Sequence, residues 1–174
     1  MKYLVKFIVI TFFLLAGTSL YADQKILIID MKKVMNESKA GQLAQKYLTD
    51  THNSNIKEFK KIEEDLRKEE TDLLNKKNIL KKDEYKIKTD SLRTKVNEYQ
   101  LDRRSKLEKL NLLRSQARQK LLKAIQPILS KYSNENNVSL ILDKKDIVAG
   151  KIENDITQII IEKLNKELPS IDLN

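Results

Sequence analysis

The sequence predicts an α+β protein in which a small β-body carries a long antiparallel α-helical coiled-coil hairpin. Three observations carry that reading. The 174 residues contain only three Gly and two Pro while 34% are charged, a composition that favours long helices over compact layers. Phe59, Leu66, Leu73 and Leu80 recur every seven positions, and Tyr85, Leu92 and Tyr99 repeat that spacing, as the seam of a coiled coil does. Short β-like runs occur only at the two ends of this helical stretch.

Residues 1–22 read as a signal peptide. Lys2 and Lys6 precede the apolar run from Phe7 to Ala16, and Gly17 to Ala22 ends in a small residue; this is the basic, apolar, small-residue order of an export signal, with cleavage expected after Ala22. The apolar run is short for a spanning helix, which needs about 20 residues. The chain has no cysteine, so lipid attachment, disulfides and thiolate chemistry are all excluded.

The β-body is expected from residues 23–35 and 137–174. Its strands are Ile26 to Ile29, Val138 to Leu142 and the short run Ile147 to Ala149. The polar link Asp143-Lys144-Lys145-Asp146 suits a hairpin between the last two. A final helix follows, with Asp155 as N-cap and Gln158 three residues on, a capping-box pattern. Ile156, Ile159, Ile160 and Leu164 form its apolar face, and Pro169 ends it. A body of roughly 50 residues is near the lower limit for independent stability. A three-stranded sheet also has open edges, which copies of the same chain would pair.

Residues 36–136 form the expected hairpin, or tentacle, with Asn36, Glu37 and Ser38 offering capping side chains at its start. Pairing Leu80 with Tyr85, Leu73 with Leu92 and Leu66 with Tyr99 puts the tip at 81–84. It also sets Leu48 opposite Ala117 and Ala44 opposite Leu121. Arms of about 44 residues would then reach roughly 65 Å at 1.5 Å per residue. The seam is poor: Glu63, Glu70 and Lys77 occupy positions where apolar residues belong. On the return arm Arg103 and Lys106 interrupt the row, opposite Glu63 and Phe59. Leu74, Ile79, Ile87, Leu101, Leu107 and Leu112 lie off the seam. They are either ordinary scattered exposure or a functional sticky face.

Charge separates the two parts. From Asn36 to Ser133 there are 24 Lys and Arg against 15 Asp and Glu; the rest of the chain after Ala22 has 8 against 10. The excess gathers at the tip (Lys76, Lys77, Lys81, Lys82) and at Arg103, Arg104 and Lys106. Pairs such as Glu64 with Lys68 are ordinary helix stabilisers but do not cancel it. Such a surplus attracts acidic proteins, anionic lipid surfaces or nucleic acid; an export signal argues against the last. No catalytic constellation is present. His52 is the single histidine, whereas metal sites gather several ligands, and a chain with three Gly has no glycine-rich phosphate loop. Neither an enzyme nor a cofactor is expected.

The order of a strand, "IIDMKKVMNESKAGQ", a long basic hairpin, "VSLILDKKDIVAG" and "ENDITQIIIEKLN" resembles the Skp/OmpH family of periplasmic chaperones. Asn36 to Gly41 and Asp155 to Thr157 are the most specific parts of the likeness, which runs over the whole chain after Ala22. The resemblance implies a homotrimer whose strands share a β-barrel, with three tentacles around a cavity for unfolded outer-membrane proteins. On that basis Ile26, Ile28, Leu140, Leu142 and Ile147 are the expected trimerisation residues. The tip lysines, Arg103, Arg104 and the six off-seam apolar residues are the expected client contacts. The implied activity is an ATP-independent holdase in the periplasm. The alternative is a coiled-coil stalk or spacer anchored in the envelope by an uncleaved N-terminal segment.

Overall fold

The computed structural model describes residues 24–173, and the expected signal segment at 1–22 lies outside them. The elements run β1 (Lys25–Ile29), α1 (Met31–Glu37), α2 (Lys39–Asn75), α3 (Lys82–Glu135), β2 (Val138–Asp143) and α4 (Thr157–Glu167). Single 3₁₀ turns at Lys144–Asp146 and Ile152–Asn154 lie between β2 and α4.

β1 and β2 form a two-stranded parallel sheet, with Ile26 beside Leu140, Leu27 beside Ile141 and Ile28 beside Leu142. Parallel neighbours need a long crossover, and here α1, α2 and α3 together supply it. The pleat sends alternate residues to opposite faces. Leu27 and Ile29 therefore join a core with Val34, Ala40, Leu121, Ile125, Ile128, Ile156, Ile160 and Leu164. The base of α3 is thus part of the body, which is larger than residues 23–35 and 137–174.

The expected third strand is absent. Asp143 to Asp146 closes into a 3₁₀ turn, Asp143 accepting a hydrogen bond from the Lys145 amide, and Ile147 to Ala149 continues as loop. An Asp side chain that bonds its own turn competes with strand pairing. The second edge of β1 is instead met by backbone just before α4: Asp155 forms a parallel bridge to Ile28, and the Ile156 amide donates to the Ile28 carbonyl at 2.9 Å.

Two chain reversals rest on single side chains. Ser38 is fully buried and caps α2, its hydroxyl accepting from the Gly41 amide at 3.2 Å. A Cβ on Gly41 would sit 1.8 Å from the Met35 carbonyl oxygen, so only glycine allows α1 and α2 to fold this closely. At the other end of α3, Asn137 adopts a positive φ of 51°, a left-handed conformation that Asn tolerates. That residue turns the chain from helix into β2.

The start of α4 also differs from the capping box. Asp155 accepts hydrogen bonds from the amide and hydroxyl of Thr157, while Gln158 reaches forward to Glu162. Asp155 thus acts one residue earlier than a helix cap. The Thr157 hydroxyl accepts from the Asp30 amide at 2.9 Å, tying α4 to the end of β1. The buried face of α4 is Ile156, Ile160, Ile161 and Leu164, with Ile159 exposed in place of Ile161. As expected, α4 ends just before Pro169.

Candidate functional site

The arms are unequal: α2 has 37 residues and α3 has 54, roughly 55 and 80 Å at 1.5 Å per residue. Their connection is residues 76–81, and α3 begins at Lys82. The tip therefore precedes the expected 81–84 by several residues. Asp83 and Glu84, which read as turn formers, stand in the first turn of α3, where acidic side chains meet the positive end of the helix dipole. Leu80 leaves the heptad row and lies in the connection, its amide donating to the Lys76 carbonyl.

The seam holds a polar and aromatic mid-section. Phe59 is buried edge-on to Tyr99, with ring centroids 6.1 Å apart. Arg103 and Lys106 each lie 5.8 Å from the Phe59 ring centre. Arg103 pairs with Glu63 at 3.4 Å, Lys106 with Glu58 at 2.7 Å, and Lys95 with Glu69 at 2.6 Å. Glu63 also accepts from the Tyr99 hydroxyl. Burial first, and then this bond to Glu63, pushes the Tyr99 phenol above its ordinary value. Hydrogen bonds to Glu58 and then Asp102 hold the Lys106 ammonium above its own. The expected opposition of Arg103 to Glu63 and of Lys106 to Phe59 is therefore real. It makes Arg103 a seam residue, already engaged, rather than a free contact.

The off-seam apolar residues are exposed as read: Leu74, Ile79, Ile87, Leu101, Leu107 and Leu112. Three share a direction. At about 100° per residue, Ile87, Leu101 and Leu112 fall within about 40° of one another along α3, on the side away from Tyr85, Leu92 and Tyr99. Leu107 is rotated out of that stripe and is the least exposed of the six at 39%. At the tip Lys77, Lys81 and Lys82 are exposed, whereas Lys76 pairs with Asp72 at 2.6 Å. Arg104 is also exposed.

Four of the five expected trimerisation residues, Ile26, Ile28, Leu140 and Leu142, share the outer sheet face, and Ile147 lies in the loop beyond β2. Ile26, Leu140 and Leu142 are exposed there. Ile28 is covered by the following loop, where a Cβ on Gly150 would come within 2.6 Å of the Ile28 Cδ1. Ile147 is half-buried, and the same loop exposes Val148 and Ile152 almost completely.

Sequence reading missed a groove of about 900 Å³ at the arm base, between α1, α2 and α3. Met31, Met35, Leu48 and Leu121 line it, with Lys32, Arg114 and Arg118 among its polar residues. Only the four-residue spacing of the two arginines on one side of Ala117 was visible in the sequence. Among the described residues no group of His, Cys, Asp and Glu is arranged to hold a metal ion, and no helix is long and apolar enough to cross a membrane.

A family model described as outer membrane protein (OmpH-like) matches residues 25–164. The chain belongs to the OmpH-like family. No curated protein matches it by sequence. The fold is shared with a crystal structure from Caulobacter crescentus CB15, described as a candidate outer membrane chaperone (OmpH-like). The TM-score is 0.79 at 17% identity, over 90% of this chain and 92% of that one. In this OmpH-like chain the most specific stretches of the resemblance serve the fold. Asn36 to Gly41 makes the α1–α2 bend, and Asp155 to Thr157 fastens α4 to β1. The arms carry the exposed apolar and cationic side chains.

Proposed function

We propose that this chain is an ATP-independent holdase chaperone of the periplasm, binding unfolded outer-membrane proteins between the arms of a homotrimer. The apolar stripe of Ile87, Leu101 and Leu112 on a net-positive arm carries the reading. Such a stripe gives many weak, non-directional contacts, and exposed cations draw in acidic segments. A chain held this way is withdrawn from the free unfolded pool that aggregates. Ile26, Leu140 and Leu142 exposed on the outer face of the sheet, and Val148 and Ile152 exposed in the loop after it, support assembly of the body through copies of itself, since exposed apolar patches mark association surfaces.

The test dilutes a denatured β-barrel protein into buffer with and without the purified protein and follows light scattering. Suppressed scattering without ATP is expected, with relief when Ile87, Leu101 and Leu112 are all changed to Ser. Unchanged aggregation at a several-fold excess of the protein would sink the proposal.

A further inference from the structure

We infer that the groove at the arm base is a docking site for an extended client segment in which acidic and apolar residues alternate. This rests on the proposed function and assigns a client chemistry to a surface distinct from the exposed stripe on α3. The lining has two parts. Met31 and Met35 on α1, Leu48 on α2 and Leu121 on α3 are apolar, and methionine adapts its shape to varied partners. Lys32 stands on α1, while Arg114 and Arg118 stand one turn apart on α3.

These three cations lack carboxylate partners among the described residues. Arg114 bonds only the Asn111 amide oxygen, at 3.1 Å. By contrast, the cations of the mid-seam and Lys145 are paired with carboxylates. The carboxylate in the lining, Asp143, lies 4.0 Å from Lys145, which also lines the groove, so Lys32, Arg114 and Arg118 leave the groove net positive and complementary to an anion.

Spacing favours a strand-like occupant. Residues four apart on a helix have Cβ atoms about 5–6 Å apart. Every second side chain of an extended segment is about 6.6–6.8 Å from the last, on one face. One face of such a segment can therefore present carboxylates to Arg114 and Arg118 in succession. Its other face meets the methionines and leucines. With Lys32 contributed by α1 and the arginines by α3, positive charge enters the groove from two elements, which suits charges spread along a chain better than one compact head group. A volume near 900 Å³ is at the upper end of the roughly 300–1,000 Å³ found for small-ligand pockets, enough for a short peptide stretch.

The probe is a fluorescein-labelled nine-residue peptide alternating Leu and Asp, read by anisotropy with the purified protein. A second peptide has the same composition in two blocks. The alternating peptide should bind at least tenfold tighter than the block peptide. R114Q/R118Q should weaken it at least tenfold, and K123Q/K131Q, an equal charge loss elsewhere on α3, by less than twofold. Both pairs of residues are exposed, so circular dichroism should show either variant folded. Three outcomes would overturn the site: equal binding by the wild type and R114Q/R118Q; no preference for alternation; or peptide binding intact while binding to phosphatidylglycerol vesicles is lost, which makes the groove a lipid surface. A shifted sedimentation coefficient in R114Q/R118Q would likewise overturn it, in favour of a contact between copies. A protein that binds the peptide through both arginines yet leaves a denatured barrel protein to aggregate would refute the proposed function and keep the groove.

Discussion

At the scale of single residues, Asp155 concentrates more structure than any other charged group. Its backbone bridges Ile28, and its carboxylate accepts from the Thr157 amide and hydroxyl and from Lys144 at 3.0 Å. Partial burial pushes this carboxyl upward, but the bonds from Thr157 and Lys144 outweigh it and hold it below its ordinary value. The hydrogen bond to Asp155, and then its charge, raise the Lys144 ammonium. A carboxyl lowered by folding contributes stability that is present above its unfolded value, near 3.9, and lost as pH falls through the folded value. Asp155→Asn should therefore lower stability by about 1 kcal/mol at pH 7. It should also flatten the fall in melting temperature below about pH 4. Thermal unfolding of both proteins from pH 7 to pH 3 checks this; parallel curves would mean the carboxylate is incidental.

At the scale of elements, the sequence made some things legible and hid others for identifiable reasons. The arms were readable because Phe59, Leu66, Leu73, Leu92 and Tyr99 carry a period, and a period survives without knowledge of neighbours. The tip was misplaced because Asp83 and Glu84 suit a turn and a helix start equally. The third strand was misread because the partner of β1 at that edge is the backbone of Asp155, which leaves no side-chain pattern. The groove was invisible because Lys32 and the Arg114–Arg118 pair come from elements more than eighty residues apart. The C-terminal tail was hidden likewise. Beyond Pro169, Ile171 packs beside the base of the arms, and Leu173 is buried with Ala44, Leu113 and Ala117. Lys120 donates to the Asp172 carbonyl. The two alanines leave room for this leucine between α2 and α3. Leu173→Ser should cost about 2 kcal/mol of local stability and speed amide exchange around Ala44 and Ala117, leaving the tip unchanged. Unaltered exchange at both positions would show that the tail merely lies on the surface.

At the scale of the whole molecule, burial and charge are segregated: the apolar core lies at the base, and the surplus of 24 cations over 15 anions lies in the hairpin. Exposed charges act over a screening length of about 8 Å at physiological ionic strength and mainly govern how fast partners meet. Apolar contacts act at short range and govern how long they stay together. These roles predict opposite kinetic signatures in the two halves of the arm chemistry. Changing Lys77, Lys81 and Lys82 to Gln, with Lys76 left because Asp72 already engages it, should slow association with an acidic unfolded client about threefold at low salt and flatten its salt dependence. Changing Ile87, Leu101 and Leu112 to Ser should leave association nearly unchanged and raise dissociation about tenfold, since each truncated contact removes a fraction of the apolar surface that holds the client. Stopped-flow rates at two salt concentrations separate the two effects. Wild-type association by the Gln variant at low salt would mean that the lysines of the tip only solvate a helix end, and that capture is governed by charge nearer the base.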